Sequence, residues 1–96
     1  MSFVGSSAVA RHVYARGAAS GKRVQCQGGA KNPVVILPDA DMASAAEIVA
    51  DSAFGCAGQR CLAASTVILV GAAQAAFKEL LVEAARTRTT CHGLDR

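Results

Sequence analysis

The alternation of short apolar runs with helical periods predicts an α/β fold with buried strands. Three observations carry that prediction. Two β-branched runs, residues 33–37 and 66–70, are bounded by turn residues. Between and after them, apolar residues recur at helical spacing, most clearly at Ala73, Ala76, Phe77, Leu80, Leu81, Ala84 and Ala85. Punctuating residues separate the segments, as in Gly5-Ser6-Ser7, Gly28-Gly29 and Pro38-Asp39-Ala40-Asp41.

Taken in order, Ser2-Phe3-Val4 reads as the end of a strand. It runs into a glycine turn and two hydroxyl N-cap candidates, Ser6 and Ser7. Ala10, Val13, Tyr14 and Gly17 mark the inner face of a helix that ends near Ser20-Gly21. Residues 23–27 form a short strand, broken by Gly28-Gly29. Residues 33–37 are expected to be a buried strand. Asp39 and Asp41 suit the N-terminus of a second helix, whose buried face is Met42, Ala45, Ala46, Val49 and Ala53. Gly55-Cys56-Ala57-Gly58 is a glycine-rich loop, followed by the strand at 66–70. Arg86 and Arg88 fall near the end of the last helix, where cations suit the dipole. Residues 89–96 show no periodicity, so the predicted order is β-α-β-β-α-loop-β-α.

A length of 96 residues leaves no room for two independent cores. Alanine supplies 21 of the 50 apolar residues, so the core buries little area per residue. Charged residues make up only 18%, which excludes a disordered chain. There is no apolar run of about 18 residues, so no membrane span is expected. Arg11, Arg16, Lys22 and Arg23 interrupt the start, so no secretory signal is expected. The ten basic residues are scattered and there is no tryptophan, so nucleic acid is not an expected partner.

The cysteines stand at 26, 56, 61 and 91, without a CxxC pair, and His12 and His92 are far apart. No metal site is expected from that spacing. Without a signal peptide no disulfide scaffold is expected either. Cys26, Cys56 and Cys91 read as small buried residues in a reducing cytoplasm.

Three segments can carry chemistry. Gly5-Ser6-Ser7 is either a plain N-cap or a phosphate site at a helix N-terminus, where free N–H groups and the dipole favour anions. Gly28-Gly29 is either a simple turn or a place where backbone approaches closely. Cys61 is either structural or a nucleophile, with Arg60 beside it to favour the thiolate if its side chain points that way.

Together these segments resemble the aldehyde dehydrogenase superfamily. Phe3-Val4-Gly5-Ser6, Gly28-Gly29-Ala30-Lys31-Asn32 and Gly58-Gln59-Arg60-Cys61 follow in its order and spacing. Within it, SFVGSS, GKRVQ, GAKN, VVILPDAD and AFGCAGQRCLA are most similar to the CoA-acylating methylmalonate-semialdehyde dehydrogenase branch. The likeness runs from Ser2 to about Val82, and His92-Gly93-Leu94-Asp95 resembles the family's turn after this helix.

The resemblance implies a partial aldehyde dehydrogenase fold. Residues 1–27 would be the C-terminal part of the Rossmann-type NAD-binding domain. Residues 28–96 would be the N-terminal part of the catalytic domain. Gly5 and Ser6 would sit at the NAD pyrophosphate, and Gly28 near the nicotinamide ribose. Cys61 would be the nucleophile, its own N–H giving one oxyanion-hole bond. NAD would be the cofactor, CoA the co-substrate, and a small semialdehyde the substrate, in a cytoplasmic, homo-oligomeric parent of valine catabolism.

Gln27 occupies the place where most hydrolytic members carry a water-activating glutamate. Glutamine cannot act as a general base at neutral pH, which favours transfer to a thiol such as CoA. The alternatives are a hydrolytic NAD(P)-dependent aldehyde dehydrogenase and a non-catalytic module that pairs through exposed strand edges. The resemblance also implies a parent several times longer. The upstream asparagine of the oxyanion hole and the downstream ribose-binding glutamate would lie outside this chain. The chain is therefore expected to be a fragment that does not turn over alone.

Overall fold

The computed structural model describes residues 1–94. It divides into two compact units, Met1–Ala30 and a second beginning at Lys31. The division falls three residues beyond the expected boundary at residue 27, because Gly28 and Gly29 fold against Ser7 of the first unit.

The first unit is β1 (Ser2–Val4), α1 (Ser7–Ala19) and β2 (Gln25–Gln27). The strands pair in parallel, Ser2 with Gln25 and Val4 with Gln27. Parallel neighbours need a crossover, and α1 supplies it. Ser6 is the N-cap, in extended conformation, with its Oγ accepting the Val9 N–H at 3.5 Å. Gly21, at φ 66°, lies in the left-handed region just past the helix end. Only Ala10 and Gly17 of α1 are buried. A Cβ on Gly17 would lie 2.5 Å from Val24 Cγ2, so the helix approaches as closely as glycine permits. Tyr14, expected on the inner face, is 55% exposed. The small residues seven apart take the seam, and two strands of three residues are too narrow to cover the flanking ring.

The second unit is β3 (Asn32–Ile36), α2 (Met42–Phe54), β4 (Ala64–Leu69) and α3 (Ala73–Arg86). β3 and β4 are parallel, with Val34 opposite Val67 and Ile36 opposite Leu69. Asn32 pairs with Ala64 but Pro33 with Thr66, so Ser65 is an extra residue in the ladder. Pro33 has no N–H to give, and the irregularity falls at that junction.

Ile36, Ala46, Val49, Ala73 and Phe77 form the core, with Val34, Val67 and Leu69 packed against it. The helices cover only one face of the sheet. Val35 and Ile68 point the other way and are 54% and 48% exposed. The expectation that residues 33–37 form a buried strand is therefore corrected: burial alternates along β3. On α3, Ala73 and Phe77 are buried and Leu81 half-buried, whereas Ala76 and Leu80, expected inward, are exposed. The buried seam is a narrow stripe of every fourth residue.

Asp41 caps α2. One carboxylate oxygen accepts the N–H groups of Ala43 and Ser44 at 3.1 and 3.2 Å, and the other accepts the Ser44 hydroxyl at 2.9 Å. The Ser44 hydroxyl first, then these N–H groups, hold the Asp41 carboxyl below the usual carboxylate range. Gly93 and Leu94 form a turn after α3, while Asp95 of the expected turn lies outside the described residues. No described helix is long and apolar enough to cross a membrane.

Candidate functional site

The N-terminus of α1 gathers three of the expected site residues. Gly5 donates its N–H to Gln27 O at 3.1 Å, bringing the end of β2 beside the turn. Gly29 donates its N–H to Ser7 Oγ at 2.9 Å. A Cβ on Gly28 would fall 2.9 Å from that Oγ and 3.1 Å from Ser7 Cα, so glycine is required there by close approach. Gly5, Ser6 and Gly28 thus meet at one helix end. The sequence reading treats Ser7 only as a cap candidate, but it tethers the Gly28-Gly29 loop. That tether is visible only when the loop and the helix are folded together. The first turn of α1 carries no acidic residue, which leaves its positive end open to an anion. Beside it is a cleft of about 400 Å³, lined by Ser7, Arg11, Tyr14, Cys26 and Gly28 among others.

Cys61 lies in the second unit, at the corner of a β-turn closed by Ala63 N–H to Arg60 O at 3.0 Å, and it is exposed. The segment leading to it is strained. Cys56, Ala57 and Gly58 have φ values of 53°, 54° and 72°. For the two residues with a Cβ this costs on the order of 1 kcal/mol each.

Three side chains hold the segment around this turn. Asn32 Nδ2 donates to Cys61 O at 2.8 Å and to Ala63 O at 3.0 Å. Ser52 Oγ accepts the Ala64 N–H at 3.0 Å. Arg60 Nη2 donates to Asp51 O at 2.8 Å, near the end of α2. The guanidinium lies over Gly55, where a Cβ would sit 1.9 Å from Nη2. Arg60 is thus committed to the carbonyl end of α2, which attracts a cation. This corrects the conditional expectation that it serves the Cys61 thiol. The Asp51 carboxylate pairs with Arg88, whose guanidinium stands 5.9 Å from the centre of the Phe54 ring.

The cysteines also depart from expectation. All four are free, Cys26 is half-buried, and Cys56 and Cys91 are exposed rather than buried. Cys56 sits on the left-handed turn, off the helical face that packs inward, and Cys91 follows the end of α3. A cleft of about 740 Å³ runs along α3 between Gly71 and Arg86 and is lined by none of the expected site residues.

The sequence profile of the aldehyde dehydrogenase family matches residues 1–96. A malonate-semialdehyde dehydrogenase of Geobacillus kaustophilus is 58% identical over 71 residues, covering 74% of this chain and 14% of that protein. An acylating mitochondrial methylmalonate-semialdehyde dehydrogenase of Arabidopsis thaliana is 45% identical over 91 residues, 95% of this chain and 15% of that protein. Among solved structures, one described as a methylmalonate-semialdehyde dehydrogenase of Sinorhizobium meliloti, complexed with NAD, superposes with a TM-score of 0.81. It is 44% identical and covers 90% of this chain and 18% of that one. The chain thus spans about a seventh of the length of these two curated relatives. A family match along the whole of this chain, together with these identities, makes the chain a member of the aldehyde dehydrogenase family.

Proposed function

We propose that this chain is the nucleophile-bearing segment of a CoA-acylating malonate- or methylmalonate-semialdehyde dehydrogenase, and that Cys61 is its nucleophile. The observation that carries the reading is Cys61 itself, exposed at the corner of a tethered turn. The relatives' names support the substrate class, and the word acylating in one of them supports CoA as acceptor.

The α1 end fits a dinucleotide phosphate: it has a hydroxyl cap, no acidic first turn, and a glycine where a Cβ would fill the cradle. Gly5, Ser6 and Gly28 would hold NAD there. When bound, NAD supplies the hydride acceptor. On this reading residues 1–27 would belong to the NAD-binding domain and residues 28–96 to the catalytic domain, with the Gly28-Gly29 loop packing back on Ser7 of the first. Free cysteines, with Cys56 and Cys91 exposed besides Cys61, suit a reducing cytoplasm as the compartment.

Cys61 Sγ attacks the aldehyde carbon, and the thiol proton ends on the carbonyl oxygen as a thiohemiacetal. The Cys61 N–H stabilises the oxyanion formed on the way. Loss of a hydride and of the hydroxyl proton leaves a thioester on Cys61. The CoA thiol then displaces it, giving acyl-CoA and restoring the Cys61 thiol. By the family resemblance Gln27 stands where hydrolytic members carry a water-activating glutamate, and since glutamine is no base this favours transfer to CoA over hydrolysis.

A chimera tests this reading. This chain replaces the matching stretch of the Geobacillus kaustophilus enzyme, and NADH and acyl-CoA are followed with and without CoA. CoA-dependent turnover that disappears in Cys61→Ser is expected. Steady release of the free acid without CoA would instead favour a hydrolytic dehydrogenase. The 96-residue chain alone is expected not to turn over.

A further inference from the structure

We infer that Asn32 is a positioning residue for Cys61, acting on its main chain. The inference rests on Cys61 being the nucleophile, but the observations behind it are separate. Asn32 opens β3, which lies far from Cys61 in sequence, and its side-chain amide donates twice to that one turn. An amide NH2 group has two hydrogens. The carbonyls of Cys61 and Ala63 take them at 2.8 and 3.0 Å.

Holding Cys61 O fixes the peptide plane between Cys61 and Leu62, because that unit is planar. Holding Ala63 O fixes the end of the same turn. The main chain at Cys61 then keeps one orientation, so the Cα–Cβ bond that carries Sγ and the Cys61 N–H leave the turn in fixed directions. That is the arrangement a nucleophile and its oxyanion donor need. The tether is aimed at a segment that needs it. Leu62 is 83% exposed and cannot anchor the turn by burial, and the approach through Cys56 and Ala57 is strained.

The irregular register at Asn32 belongs to the same device. The extra residue Ser65 donates its hydroxyl to Asn32 O at 3.4 Å, and Pro33 follows at once. The strand therefore begins with a residue held at both its side chain and its carbonyl. Glutamine carries the same two donors one methylene further out. Aspartate has the same size but presents acceptors to two carbonyls, which repels them.

The test is site-resolved alkylation of the whole chain with iodoacetamide, reading each cysteine by mass after digestion. Each rate is divided by that cysteine's rate in denaturant. The expected result is that Cys61 in the parent chain differs from its denatured rate by threefold or more. Asn32→Asp and Asn32→Ala return it toward that rate, aspartate further, while Cys56 and Cys91 stay within twofold. Asn32→Gln restores part of the difference, and Ser65→Ala, which loosens the same strand junction without touching Cys61, leaves it in place. Equal movement of all four cysteines in the Asn32 variants would overturn the inference, since that is general loosening. So would a Cys61 rate unchanged in Asn32→Asp, or a parent chain in which every cysteine already reacts at its denatured rate. These readouts need no turnover, so they fail or succeed independently of the thioester chemistry.

Discussion

The two units share one plan, a helix crossing between parallel strands, but hold it by different means. The first, Met1–Ala30, buries only Ala10 and Gly17 of its helix and relies on backbone contacts: strand pairing, a capped helix and glycines at close approach. The second buries Ile36, Val49 and Phe77 beneath two helices and carries a strained turn above that core. The difference separates two kinds of sequence signal. Glycines and serines in the first unit specify a backbone shape, with little buried apolar area behind it. Large apolar residues in the second specify a frame that can hold Cys61 against local strain.

The comparison breaks most sharply at Phe77. It is 1% exposed at the centre of the second unit's core, and Phe77→Ala is expected to cost about 3–4 kcal/mol. Urea unfolding followed by circular dichroism checks this. Hydrogen exchange should show the loss in β3, α2 and α3, with the first unit barely affected.

Gly28→Ala probes the other kind of signal. Its Cβ would press on Ser7, costing on the order of 1–3 kcal/mol of strain within the first unit. Exchange at Gly29 should accelerate while α2 keeps its protection. Under the proposed function, NAD affinity of the chimera should fall by about tenfold or more, read by calorimetry.

Ala57→Gly should move the other way. Removing a Cβ at φ 54° relieves on the order of 1 kcal/mol, offset in part by the added freedom of glycine in the unfolded chain. A small rise in the melting temperature is expected, and a fall of several degrees would show that the turn is not strained.

The smallest effect concerns Asp41. Its folded-state carboxyl lies below its ordinary value, so the stabilisation is present above the unfolded value, about 3.9, and is lost as pH falls through the folded one. Melting temperatures should therefore decline below about pH 4, and less so in Asp41→Asn, which keeps an oxygen for the Ala43 and Ser44 N–H groups. Identical acid profiles for the two proteins would contradict this.

What could be read from the sequence was local. Asp41 as a cap, the helix after Gly5-Ser6 and the loop before Cys61 depend on neighbours in the chain. What could not be read depended on what lies across. Tyr14 has helical spacing for burial, but the strands under α1 are too short to cover it. Val35 sits in an apolar run, but its face of the sheet has no helix on it. Arg60 adjoins Cys61 in sequence, but Gly55 opens a path to Asp51 O. Asn32 reads as part of a loop motif, and its two bonds to the Cys61 turn appear only when β3 and β4 are paired.

The central claim is that Cys61 carries the acyl group. The most direct measurement mixes the chimera with malonate semialdehyde and NAD without CoA, quenches in acid, and locates the acyl mass by peptide mapping. The account predicts one acyl group on the Cys61 peptide, formed together with NADH and removed when CoA is added. An acyl group on Cys26, Cys56 or Cys91, or NADH formed equally by Cys61→Ser, would contradict it.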